Sequence, residues 1–163
     1  MFFTEPKSHT RSILKDILPK YCRGKVVDVG AGRGKYKSLI MKYANYYTSI
    51  DNESSYDQFG KKKFINKLDF AHDALNMPFE NEIFDTVICT EVLEHVENPF
   101  ILMKEMSRIL KKNGCLILSS GWIALYHPEP KDYFRFSKDV YFHLCEINNL
   151  EIIKAIKKGG YFT

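Results

Sequence analysis

Residues 25–34, Lys-Val-Val-Asp-Val-Gly-Ala-Gly-Arg-Gly, constrain this chain more than any other stretch. The β-branched run favours extended backbone, and the glycines that follow permit a tight turn and close approach of another group. Tyr36, Leu39, Ile40 and Tyr43 then recur at helical spacing. The segment predicts strand, glycine turn and helix in direct succession. The remaining chain continues the alternation: a strand over 46–50 ending at Asp51, a short polar helix over 54–63, a weak strand over 65–70 and a strong one over 83–89. A helix over 100–110, a strand over 115–119, a helix over 137–148 and a sixth strand over 151–156 follow, and an opening helix over 8–18 stops at Pro19. The strands are apolar throughout, the pattern of strands covered on both faces. The predicted class is α/β: a doubly wound, mostly parallel sheet in three αβα layers, with ligands bound beyond the carboxyl ends of the strands.

Composition narrows the rest. A length of 163 residues suits one domain against a prior of roughly 100 to 200 residues each, so the expectation is a single domain over 1–163. Hydrophobic residues make up 45% of the chain, enough for a core and too many for disorder as the main state. The apolar runs at 83–89 and 115–118 fall far short of the roughly 20 residues that cross a bilayer, so no membrane span is expected. A net charge of +4 is too mild for a dedicated nucleic-acid module. Cys22, Cys89, Cys115 and Cys145 stand apart without paired spacing, which argues against a zinc site or a disulfide framework. With no signal-peptide pattern over residues 1–6, a cytoplasmic setting is expected.

Asp51 closes the second strand about 20 positions after the turn, where an acid accepts hydrogen bonds from both hydroxyls of a ribose. The glycines alone also fit a turn that needs them only for packing. Lys35 stands where the dinucleotide fingerprint G-x-G-x-x-G places its last glycine, which disfavours a nicotinamide-dependent oxidoreductase.

Four stretches in order carry a resemblance: residues 27–34, Ser49-Ile50-Asp51, His72-Asp73-Ala74, and residues 84–89 with Glu91-Val92-Leu93-Glu94-His95-Val96. Over about residues 24–120 the chain resembles a class I S-adenosylmethionine-dependent methyltransferase of the ubiquinone and menaquinone biosynthesis subgroup. The resemblance implies S-adenosylmethionine as cofactor, with Asp28, Gly30, Ala31 and Gly32 at its methionine and ribose part and Asp51 on the ribose hydroxyls. It implies Asp73 at the adenine amino group, Ala74 on the ring, and Glu91 and Val92 at the methionine end. Each acid also has a plainer reading: Asp73 as a turn cap, Glu91 as a first-turn acid, Asp28 as a residue that orients the glycine loop by accepting backbone amides. His95 reads as a structural histidine.

Methyl transfer is an in-line displacement, so alignment matters more than acid catalysis. Candidates for a proton acceptor lie in residues 122–137, which resemble the H-P-x-P-x-D-Y-x-R-[FY] stretch of a methyltransferase subset associated with surface glycans. His127 and Asp132 are the expected base or acceptor-orienting groups, with Trp122, Tyr133 and Arg135 shaping the substrate pocket; the same loop is equally well explained by Arg135 pinning it to a carboxylate. No further ligand pattern near His127 and Asp132 supports a metal. The expected function is methyl transfer to a small-molecule or glycan-type acceptor, the alternative a noncatalytic cofactor-binding or assembly subunit of the same fold. Such folds usually end in a hairpin whose last strand is absent here. The expectation is a chain truncated at its C-terminus, or a homodimer or other partner over the open sheet edge.

Overall fold

The computed structural model describes residues 8–52, 68–121, 126–128 and 131–156. Its centre is β1 (Lys25–Val29), whose Val26, Val27 and Val29 are wholly buried. Burying one such side chain stabilises by roughly 1.5 to 3 kcal/mol. β2 (Tyr46–Asp51) and β4 (Phe84–Thr90) flank it in parallel, with Val29 opposite Ile50 on one side and Cys89 on the other. β3 (Phe70–Ala71) and β5 (Leu110–Ser119) lie outside these, giving the order β3-β2-β1-β4-β5 among the described residues. The direction of winding reverses between β1 and β4.

Alternate side chains of each strand feed two cores. Val26, Ile88 and Ile117 pack with Leu14 and Leu18 of α1 (Ser8–Tyr21) and with Leu39 and Ile40 of α2 (Lys37–Ile40). Val27, Val87 and Cys89 pack on the other face with Leu102, Met103 and Met106 of α3 (Pro99–Ile109) and Leu144 of α4 (Lys138–Ile147). Asn98 and Ser137 cap α3 and α4 by accepting the amides of Ile101 and Val140. The doubly wound three-layer class is therefore the observed one.

Some boundaries differ from expectation. α1 runs through Pro19 to Tyr21, because a proline removes only its own donor and Cys22 N still reaches Leu18 O at 2.9 Å. α2 is a single turn inside a series of tight turns from Gly34 to Ala44. The expected sixth strand is not one: residues 151–156 take no regular structure, and Ile153 is 67% exposed. Its isoleucines have strand propensity, but a strand also needs a neighbour to pair with. The expected helix over 54–63 lies outside the described residues, as does the run 65–67 of the expected third strand.

Candidate functional site

The turn after β1 is built around two contacts. Gly30 N and Ala31 N both donate to Ile50 O, at 2.9 and 3.2 Å, and Gly32 N donates to Asp51 Oδ2 at 2.7 Å. Gly30 has φ +71°, and a Cβ there would lie 2.2 Å from Val92 Cγ2. Glycine is thus required at position 30 by packing against the exit of β4 as well as by backbone angle. Asn52 N donates to Asp51 Oδ1 at 2.7 Å, so two backbone amides orient the Asp51 carboxylate at the end of β2. Orienting the loop, one reading of Asp28, falls to Asp51 instead.

Asp28 is buried on the α2 side of the sheet, where its Oδ2 accepts the Tyr47 hydroxyl at 2.8 Å. Burial pushes its carboxyl up to about 7, with the Tyr47 hydrogen bond opposing and the Asp51 charge adding to the rise. Asp73, beyond β3, is exposed and closes a turn by accepting Leu75 N at 2.9 Å, while Ala74 beside it is buried. Beyond β4, Glu91 has φ +58° and its Oε1 accepts the Ser119 hydroxyl at 2.6 Å. Asp73, Asp51, residues 30–32, Glu91 with Val92, and Ser119 therefore follow one another along a single rim, the carboxyl ends of all five strands.

The second candidate group docks on that rim. Tyr133 N donates to Glu94 O at 2.8 Å, and His95 Nδ1 lies 2.5 Å from Lys131 O. Asp132, nearly inaccessible, grips the Arg135 guanidinium with both oxygens, one bond being Arg135 Nη2 to Oδ2 at 2.7 Å, and accepts His127 N at 2.9 Å. These donors, Arg135 foremost, hold its carboxyl well below the ordinary range. Arg135 thus pins the loop to a carboxylate. The His95 and His127 rings meet edge to face with centroids 4.9 Å apart. Tyr126 and Tyr133 are exposed. Trp122 lies outside the described residues.

Sequence reasoning missed Glu94, which is 1% exposed, and Ser119, the hydroxyl partner of Glu91. Nothing in the order of residues marks Glu94 as buried; its place two residues beyond Val92, in the 3₁₀ turn Leu93–His95, does so only once folded.

An open parallel sheet reversing between β1 and β4, with a glycine turn and an acid at the next strand end, defines the Rossmann-like class of nucleotide-binding folds. The chain belongs to the methyltransferase domain family, whose model matches residues 27–118. A demethylmenaquinone methyltransferase of Staphylococcus haemolyticus is 29% identical over 148 residues, 85% of this chain, and this chain spans only 62% of that protein's length. An uncharacterized protein of Methanocaldococcus jannaschii is 26% identical over 91% of this chain and 68% of its own. Among solved structures, a SAM-dependent methyltransferase of Thermotoga maritima superposes with a TM-score of 0.66 at 18% identity, covering 89% of this chain and 72% of its own. The YcgJ protein of Bacillus subtilis gives 0.62 at 19%, covering 86% and 68%. At such identities these two likenesses speak for the fold alone. No helix among the described residues is long and apolar enough to cross a membrane.

The rim suits S-adenosylmethionine. The Asp51 carboxylate stands beside the turn, where vicinal hydroxyls would need an acceptor, Gly30 lets backbone and Val92 close together, and Ala31 and Ala74 are small and apolar.

Proposed function

We propose that the chain is an S-adenosylmethionine-dependent methyltransferase acting on a small-molecule acceptor. The observation that carries this is the Asp51 carboxylate held by the Gly32 amide at 2.7 Å, which joins the ends of β1 and β2 into one nucleoside-binding edge. When bound, the cofactor supplies a methyl group on a cationic sulfur, already activated for displacement. The protein has to orient and to exclude water. In this reading Gly30, Ala31 and Gly32 receive the ribose and methionine part, Asp51 the hydroxyls, Asp73 and Ala74 the adenine, and Glu91 and Val92 the methionine end. Asp28 stays buried on β1, bonded to the Tyr47 hydroxyl.

The acceptor lies against residues 126–128 and 131–136, where Tyr133 and Arg135 form a wall and the aromatic rings favour a flat, partly apolar molecule. The demethylmenaquinone methyltransferase relative supports a small acceptor over a glycan. Asp132 is committed to Arg135 and to the loop backbone, so it positions the loop and His127 without itself taking a proton.

Calorimetric titration with S-adenosylmethionine, S-adenosylhomocysteine and NAD tests the cofactor. The first two bind and NAD does not; NAD binding alone would reverse the assignment. Asp51→Ala weakens S-adenosylhomocysteine by roughly 1.5 to 3 kcal/mol, the worth of a charged hydrogen-bond partner, and an unchanged affinity removes Asp51 from the pocket.

A further inference from the structure

Glu94 is 1% exposed, and its two oxygens are treated unequally: Oε1 accepts Gly121 N at 3.2 Å, while Oε2 has no hydrogen-bond partner among the described residues. A buried carboxylate oxygen without a donor is costly. The nearby guanidinium of Arg135 is already gripped by both oxygens of Asp132. What stands beside Glu94 instead is a pair of imidazoles. One ligand atom each from Glu94, His95 and His127 lie within 4.8 Å of one another.

The surroundings set the His95 tautomer. A carbonyl oxygen only accepts, so the 2.5 Å contact with Lys131 O puts the His95 proton on Nδ1 and leaves the Nε2 lone pair for another partner. His127 Nδ1 lies 3.5 Å from Asp132 Oδ2. His95, which gives one ring N–H to a carbonyl and keeps the other nitrogen for a ligand, has the outer-shell arrangement of metal-binding histidines.

We propose that Glu94, His95 and His127 form a site for a divalent transition-metal ion. Two imidazoles and one carboxylate suit zinc and its neighbours, and leave positions open for water or an oxygen of another ligand. Ligands about 2.0 to 2.1 Å from a tetrahedral zinc lie roughly 3.3 Å apart, so the three ligand atoms, within 4.8 Å of one another, would need only a small adjustment to share one ion. Asp132 serves as outer partner to His127, and the ion supplies the charge that Glu94 Oε2 lacks. The site faces the rim where the acceptor is placed, yet it stands or falls independently of the methyl-transfer reading, because it is read by metal binding alone.

The test titrates the metal-free full chain with Co²⁺, followed by its visible absorption, and with Zn²⁺ in competition. Uptake of one ion per chain is expected, with affinity falling at least tenfold in Glu94→Gln and in His127→Ala and to a lesser degree in Asp132→Asn. Glu94→Gln keeps the side-chain shape and His127 sits in a half-exposed loop, and circular dichroism verifies that both variants fold. Failure of the wild-type chain to take up either ion, or wild-type affinity in both folded variants, overturns the proposal.

Discussion

At the scale of single residues, the buried Asp28 makes the clearest demand. Its carboxyl is raised from 3.8 to about 7, chiefly by burial. The folded chain therefore holds a proton that the unfolded chain has released between those values, and stability falls as pH rises from about 4 to about 7. The full shift corresponds to on the order of 4 kcal/mol. Asp28→Asn, which keeps a group able to accept from the Tyr47 hydroxyl, flattens that slope and gains stability above pH 7; urea unfolding from pH 4.5 to 8 measures both. Parallel slopes in the two proteins would show that Asp28 is ionised without penalty. Gly30 makes a steric demand: Gly30→Ala combines a positive φ with a 2.2 Å approach to Val92, and overpacking of this kind costs about 1 to 3 kcal/mol before the backbone strain is added. Adding Val92→Ala recovers part of the loss, and a double-mutant cycle with no coupling would separate the two positions. The glycines and Asp51 stand out in the sequence because turn chemistry is local. Which carboxylate holds the turn amides is not local, since Asp28 and Asp51 are both strand acids and only their burial and facing decide.

At the scale of elements, α3 shows how a helix fixes the approach to β4. Its Arg108 donates to Phe79 O at 2.6 Å, Met77 O at 3.0 Å and Asn81 Oδ1 at 3.0 Å, and pairs with Glu105, which accepts Met77 N at 2.9 Å. Loop residues 77–82 are thereby tied to the last turn of the helix, and β4 begins in register with Leu110. Arg108→Met leaves two carbonyls without their donor and costs about 2 to 3 kcal/mol in urea unfolding. The Arg108 guanidinium holds the Glu105 carboxyl below its usual 4.5. The pair's contribution is present above that value and lost as pH falls beneath it, so acid sensitivity below about pH 4.5 is milder in Arg108→Met; equal acid sensitivity would remove the pair from the account. Periodicity suffices for α3, α4, β1 and β4, whose apolar faces are long and whose caps at Asn98 and Ser137 are sequence-local. It fails at residues 151–156, where isoleucines suggest a strand that has no neighbour among the described residues, and at α2, where helical spacing is met by a chain of turns around one helical turn.

At the scale of the whole molecule, the sheet converts a list of motifs into a surface. Strand order β3-β2-β1-β4-β5 brings residues as distant in sequence as Gly30 and Glu91 to adjoining strand ends. That ordering follows from unbroken apolar strands and right-handed crossovers, which is why the rim is foreseeable; the burial of Glu94 and its meeting with His127 depend on how a loop folds back, which no such rule dictates. A ligand lying across the rim touches several strand ends at once and binds only the folded chain. S-adenosylhomocysteine at about one hundred times its dissociation constant therefore raises global stability by roughly 2.7 kcal/mol, read as an upward shift of the urea midpoint without change of slope. Hydrogen exchange slows at the amides of Gly30 and Gly32, which bond from the end of β1 to that of β2, and at Asn52, which bonds the Asp51 carboxylate, and the same ligand concentration stabilises Asp51→Ala far less. Equal stabilisation of that variant, or slowing confined to the amides of α1 on the opposite side of the sheet, would place the ligand somewhere other than the carboxyl ends of the strands.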